Sequence, residues 1–328
     1  ASYITAIGGY SGYYNKSDFH TAVGYAAGYG NNAFAGTGGQ ENTSVGSYAV
    51  YSNVNGVKNT GVGFGALYGL NGNGFDYSRN TAVGDSAAAQ SYLGNDNTVV
   101  GAMALSKNIS GSQHVAIGSR ALTQTTASYP NTAVGYLSMD SVTTGAANTA
   151  LGSYTLSVNK TGINNTAIGN AAMFESTAGN NNTVAGNDAA RFLKNSQNTA
   201  IGAAALRNDS IGANNTAIGY SALSSDSASQ NVGIGAFAMR FNKRDGNIAM
   251  GYASANAIGF ANAGLNTQYG TENTSIGYRA NQGNATGRKN TAVGYRAMAM
   301  NADGSYWYAN GSGGQDLLSF NTAVGDSS

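Results

Sequence analysis

Hydrophobic and polar positions alternate in short bursts along this chain, and longer polar runs separate the bursts. Each burst has one form: Asn, a β-branched residue, a small residue, a second aliphatic residue, then Gly, as in "NTAVG" at 131–135 and "NTAIG" at 165–169. Alternation over four or five positions is the period of a β-strand, and the β-branched residues two apart share one face. The small residue between them takes the other face, where another layer of backbone can come close. No 3.6-residue period is sustained, and Gly, Thr, Val and Asn are poor helix formers. The pattern predicts strands and turns throughout.

With the closing glycine as marker, the burst recurs eighteen times between Gly8 and Gly325. From Gly84 to Gly251 every interval is 16 or 17 residues. Four longer intervals stand outside that run: Gly24 to Gly46 (22), Gly63 to Gly84 (21), Gly251 to Gly277 (26) and Gly294 to Gly325 (31). A fixed period of this kind marks a solenoid. A coil of 16–17 residues has room for two short strands and two turns. The expected fold is therefore all-β, a parallel β-roll or β-solenoid, with 1–328 read as a single repeat domain. Its regular coils span about 84–251, and its loop insertions fall at 25–45, 64–83, 252–276 and 295–324.

Stacked coils place like residues on like. The position four before the marker is Asn in fifteen copies, so Asn131, Asn148, Asn165, Asn182, Asn198 and Asn215 are expected to form a ladder of amides, bonding to each other and to turn backbone. His20 and His114 occupy the same position and are read as structural substitutes for Asn. A two-stranded roll filled by Ala, Val and Gly is thin, and its wall should expose Val, Leu, Met and Tyr. Burying such walls against identical copies removes that cost.

Composition narrows the function more than the fold. Only 9% of the 328 residues are charged, the formal net charge is +1, Gly reaches 48 copies, and Cys is absent. That balance gives no electrostatic reason to expect nucleic acid or an anionic membrane. Thiolate metal sites, disulfides and cysteine nucleophiles are excluded. No apolar run approaches the roughly 20 residues of a membrane helix, so no membrane insertion is expected.

The repeated NTAIG/NTAVG block followed by Tyr-x-Ala-Leu, as in "NTAIGYSAL" at 215–223, resembles the head repeats of trimeric autotransporter adhesins. It is similar, more closely, to related repeats in bacteriophage tail fibres that end in a self-cleaving intramolecular chaperone. The resemblance covers essentially the whole chain and implies a homotrimer of left-handed parallel β-rolls, intertwined or side by side. The 16–17-residue spacing departs from the shorter adhesin repeat, which favours the fibre. Neither the chaperone domain nor an adhesin's coiled-coil stalk and membrane anchor is present in the sequence.

Candidate chemistry is sparse. No Asp/Glu pair within one repeat is spaced as a glycosidase acid and base; a polysaccharide-cleaving spike would need carboxylates assembled across coils or subunits. There is no EF-hand calcium loop or calcium-roll array. The glycines of "GTGG" (36–39) and "GSGG" (311–314) lack the helix pattern and lysine of a phosphate loop. The "IGxxA" fragment is shared with hexapeptide acyltransferases, but it occurs once per coil where those carry it three times. The basic cluster "RFNKRDG" at 240–246 reads as a solvated turn or a contact for anionic sugars. The tyrosines directly after the marker (Tyr25, Tyr136, Tyr220, Tyr252, Tyr278, Tyr295) read as packing residues.

The chain is therefore read as non-enzymatic, with no cofactor and no metal. The expected function is receptor binding or adhesion, most readily as a distal segment of a phage tail fibre at a bacterial surface. The head of a bacterial trimeric adhesin and a purely structural shaft are the alternatives. Localisation follows as a virion or a cell surface, and the partner as a cell-surface glycan or protein. Recognition is placed in the longest insertion, on Tyr306, Trp307 and Tyr308, with Phe260 and Tyr269 of the 26-residue interval contributing; aromatic clusters on loops suit such contacts. The last copy, "NTAVGDSS", stops in mid-coil, so Ser328 is expected to be a cut, made by release of a C-terminal chaperone or by truncation. A full-length gene with a stop codon directly after Ser328 would refute this.

Overall fold

Every burst becomes a strand of three residues ending one before the marker glycine. The computed structural model describes residues 4–14, 18–30, 40–53, 56–69, 77–90, 94–108, 111–126, 129–225, 227–256, 270–283, 287–299 and 320–326. Among these the chain is all-β with no helix, a parallel β-solenoid. It divides into two compact units, Ala1–Asn164 and Asn165–Ser328.

The first unit carries β1 (Thr5–Ile7), β2 (Thr21–Val23), β3 (Thr43–Val45), β4 (Thr60–Val62), β5 (Thr81–Val83), β6 (Thr98–Val100), β7 (Lys107–Asn108), β8 (Val115–Ile117), β9 (Gln124–Thr125), β10 (Thr132–Val134) and β11 (Thr149–Leu151). The second carries β12 (Thr166–Ile168), β13 (Thr183–Ala185), β14 (Thr199–Ile201), β15 (Thr216–Ile218), β16 (Val232–Ile234), β17 (Ile248–Met250), β18 (Thr274–Ile276), β19 (Thr291–Val293) and β20 (Thr322–Val324). Within each unit the strands that precede marker glycines pair in parallel with their sequence neighbours, equivalent residue opposite equivalent residue. Ala133 thus faces Ala116 and Ala150, and Ala200 faces Val184 and Ala217.

The four long intervals do not disturb this register. Val23 lies opposite Val45, Val62 opposite Val83, Met250 opposite Ile276, and Val293 opposite Val324. The solenoid resumes in register after each insertion.

The expected second strand per coil forms only once among the described residues, where β7 pairs with β9. Elsewhere the segment after the marker is a chain of turns, because its backbone enters the left-handed region at alternate residues. Two and four residues after Gly118, Arg120 and Leu122 have φ of 57° and 50°; after Gly152, Tyr154 and Leu156 have 58° and 49°. Each such non-glycine residue costs roughly 1–2 kcal/mol. The cost is offset because their N–H groups reach adjacent coils: Arg120 donates to the Ala102 carbonyl of the preceding coil and Leu122 to the Ser138 carbonyl of the next, both at 2.9 Å. A third left-handed position, five before the marker, is occupied by Gln113 and Ala147; between them Pro130 takes the equivalent place. Proline cannot adopt that φ and has no N–H, so this coil forgoes the inter-coil bond that Gln113 makes to Asn95.

The same geometry decides what is inside. The strand's central residue is buried, as at Ala22, Ala133, Ala167 and Ala217. Four after the marker, Leu67, Leu105, Leu122, Met139, Leu156, Met173, Leu206, Leu223 and Met239 are also wholly buried. The expectation that Leu and Met line the wall holds for Met103, Leu151 and Met250, which are exposed, but is corrected for the Leu and Met four after the marker, which point inward. Val, Ile and Tyr do face outward, with Ile7, Ile168, Ile201 and Val324 among the exposed strand residues.

The marker must be glycine on two counts. Gly135 has φ 135°, and a Cβ there would lie 2.4 Å from the carbonyl oxygen of Gly152. The Asn column closes the coil on its other side. In the first unit Asn131 Oδ1 accepts the N–H of Asn148 at 2.9 Å while its Nδ2 donates to the Gly145 carbonyl at 2.9 Å. In the second, Asn198 Oδ1 accepts from Asn215 N–H at 2.9 Å and its Nδ2 donates to Gly212 at 3.2 Å. Each amide therefore grips two backbone groups of the next coil. Direct amide-to-amide bonds occur as well, as between Asn182 and Asn165 at 3.0 Å.

Asn131→Leu leaves a buried N–H and a buried carbonyl unpaired, so stability should fall by about 2–5 kcal/mol. Ala167→Phe should be at least as damaging, since the interior has no room for a ring. Thermal melts of the two variants check both; an unchanged melting temperature for Ala167→Phe would show that the central strand residue does not face a packed interior.

Candidate functional site

The ladder asparagines occupy the places the repeat assigns them, and His114 joins them. Its N–H donates to Asn97 Oδ1 at 2.8 Å, and its Nδ1 accepts from the Asn131 N–H at 3.0 Å, so that nitrogen carries no proton. The imidazole does the work of an Asn oxygen. Tyr306, Trp307, Tyr308, Phe260 and Tyr269 lie outside the described residues. In the basic cluster, Asn242 closes a turn on Arg244, donating to its carbonyl at 2.8 Å, and Arg240 lies over Phe237 and Phe241 at 5.4 and 4.9 Å.

The six tyrosines directly after the marker each pack on a neighbouring ring and are exposed in the single chain. In the first unit Tyr13, Tyr29, Tyr51 and Tyr68 stand five after successive markers, and their rings stack in series at 5.6, 5.0 and 5.1 Å. Beside them Tyr10, Tyr25, Tyr48 and Phe64 meet edge to face at 5.8, 5.5 and 6.0 Å. Tyr48 joins the two rows, lying 5.7 Å from Tyr51 and 6.3 Å from Tyr68. The rings pack on one another rather than into the core: Tyr10 is 59% exposed and Phe64 58%. The phenol of Tyr51 is pushed above its ordinary value by desolvation first and then by the neighbouring tyrosines. It remains a neutral donor and acceptor at physiological pH. The signal was present in the sequence as "YSGYY", "GYAAGYG", "GSYAVYS" and "GFGALYG", each with Tyr five after the marker.

The second unit has a related row of different character. Tyr220, Phe237 and Tyr252 meet edge to face at 5.2 and 5.8 Å, and Tyr252, Tyr278 and Tyr295 stack at 5.4 and 5.1 Å. Arg279 and Arg296 follow the last two rings in sequence and lie over them at 5.4 and 5.8 Å.

Among the described residues no group of three or more His, Asp or Glu is arranged to hold a metal. Burial lowers His20 to about 4, so its ring is neutral at pH 7. Asp209 is fully buried. Desolvation raises its carboxyl to about 6, against the opposing pull of N–H bonds from Gly212 and Ile211 and of Asn215 Nδ2 at 3.0 Å. Asn53, Asn108 and Asn159 stand in the equivalent place of other coils, their oxygens accepting from the residue three on. Asp209 thus puts a carboxyl where these coils have an amide; Thr125, Val142, Ser176 and Leu193 fill the same place elsewhere. No family model, curated protein or solved structure matches this chain.

The raised Asp209 carboxyl fixes a sign. Below about pH 4 it is protonated whether the chain is folded or not. Between about 4 and 6 the unfolded chain ionises first, so stability falls as pH rises. The full loss, about 3 kcal/mol, holds above pH 6. Asp209→Asn should therefore raise the melting temperature at pH 7.5 and leave it unchanged at pH 3.5. Melts at the two pH values check this, and a lower melting temperature at pH 7.5 would contradict it.

Proposed function

We propose that this protein is a non-enzymatic fibrous attachment protein that presents aromatic surfaces to a bacterial or host cell. A distal segment of a phage tail fibre is the form the repeat resemblance favours. The observation that carries the reading is the exposed double row of rings on the first unit. Coil-to-coil hydrogen bonds hold that surface rigid, and it offers flat apolar faces with hydroxyl rims to a ligand. Tyrosine does this at low entropic cost, since its side chain has few rotatable bonds to immobilise. A purely structural shaft gains nothing from leaving so many rings in water.

The assembly we propose is a homotrimer. The aliphatic residue before each marker leaves Ile7, Val100, Ile117 and Leu151 exposed in the first unit, and Ile168, Ile201, Met250 and Ile276 in the second. Such continuous apolar stripes are unfavourable in water, and further copies of the chain, carrying the same stripe, are the partner that covers them.

Light scattering should give three times the 33.1 kDa chain mass, and labelled protein should attach to susceptible cells. Replacing Tyr25 and Tyr48 by Ser should lower attachment tenfold or more with little change in melting temperature. Trp307→Ala, assayed in the same way, separates recognition by the long insertion from recognition by the tyrosine rows. A stable monomer would overturn the assembly; attachment unchanged in both variants would overturn the aromatic reading.

A further inference from the structure

Many cations on this solenoid pair with carboxylates of adjacent coils. Five before the marker, each cation among the described residues pairs with a carboxylate of an adjacent coil, even where Lys58 and Arg79 follow one another on consecutive coils. Lys58 meets Glu41 at 3.8 Å, Arg79 meets Asp96 at 2.6 Å, and Lys289 meets Glu272 at 3.7 Å. Other arginines also find carboxylates: Arg120 pairs with Asp140, Arg191 with Glu175 and Asp188, and Arg207 with Asp188.

Arg279 and Arg296 differ. They stand two after consecutive markers in the repeated tetrapeptide Gly-Tyr-Arg-Ala (277–280 and 294–297), on coils whose strands β18 and β19 pair directly. Like charge therefore follows like charge one coil apart. Neither makes an ion pair among the described residues; each lies over its own tyrosine ring instead. The backbone fixes the arrangement, because Arg279 N–H donates to the Tyr252 carbonyl and Arg296 N–H to the Tyr278 carbonyl, at 2.9 and 2.8 Å. The row continues through Tyr252 to Phe237, over which Arg240 lies, also without an ion pair among the described residues.

We infer that this Tyr/Arg row of the second unit is a binding stripe for a linear acidic polysaccharide carrying a carboxylate on its sugar residues. Two adjacent guanidiniums without a carboxylate among the described residues are an electrostatic cost that an anion relieves, and the guanidinium fork matches a carboxylate. The stacked rings beside them supply apolar faces and hydroxyls for the sugar. Periodicity selects a polymer: parallel strands rise about 4.8 Å per coil, close to the length of one pyranose residue in an extended chain. Among the described residues the tyrosine rows of the first unit have no cation over their rings and suit a neutral ligand. The inference rests on the attachment reading and names a ligand class for one of its surfaces.

The test measures binding of the full chain to polygalacturonate by calorimetry, with dextran and poly(U) as comparisons. Polygalacturonate should bind, more weakly as salt rises, and dextran and poly(U) should bind at least tenfold more weakly. Arg279→Gln combined with Arg296→Gln should weaken polygalacturonate binding tenfold or more at an unchanged melting temperature. Arg79→Gln, which removes a paired cation, should leave it within twofold. Equal binding of dextran would reduce the stripe to neutral stacking, and equal binding of poly(U) would reduce it to unspecific polyanion attraction. Either result, or undiminished binding by the double variant, overturns the inference. Attachment to cells without polygalacturonate binding would overturn this stripe alone and leave the attachment reading standing.

Discussion

Close approach of one coil's backbone to the next is the constraint on which everything else depends. At each marker the carbonyl of the neighbouring glycine occupies the space a Cβ would need, as Gly152 does above Gly135. On the other side of the coil an Asn side chain ties two backbone groups of its neighbour. Between these two locks the chain accepts left-handed conformations at residues as large as Leu122 and Met139. Such strain persists only where the surroundings over-determine it, and the paired carbonyls above and below supply that.

The interior is small as a consequence. A coil held this close admits Ala at the strand centre and one Leu or Met after the turn, and little else. Stability must then come from many identical increments of hydrogen bonding and packing between neighbours, as in other repeat architectures. Residues too large for the interior are left outside. Tyr and Phe stack along the outer face at the spacing of the coils, so the rows of rings follow from the repeat itself. The regularity also exposes irregularities. Asp209 in place of the amides of Asn53, Asn108 and Asn159, and Pro130 among left-handed residues, are visible for that reason.

Sequence by itself determined the architecture. The strict glycine interval, the alternation of Thr132, Ala133 and Val134, and the Asn column together specify a parallel solenoid and its register, because each column is a local steric or hydrogen-bonding requirement repeated in place. Even the assignment of His114 as a substitute for Asn followed from its position. The tertiary structure decided what the backbone does after the marker: turns in place of a second strand, and Leu105 or Met173 inside in place of outside. Those outcomes depend on φ at single residues, which alternation does not encode. It also decided that Tyr29, Tyr51 and Tyr68 form one row and that, among the described residues, Arg279 is without a carboxylate while Arg79 has one. Ring stacking and ion pairing join residues some seventeen or more positions apart, and only the stacking of coils brings them within reach.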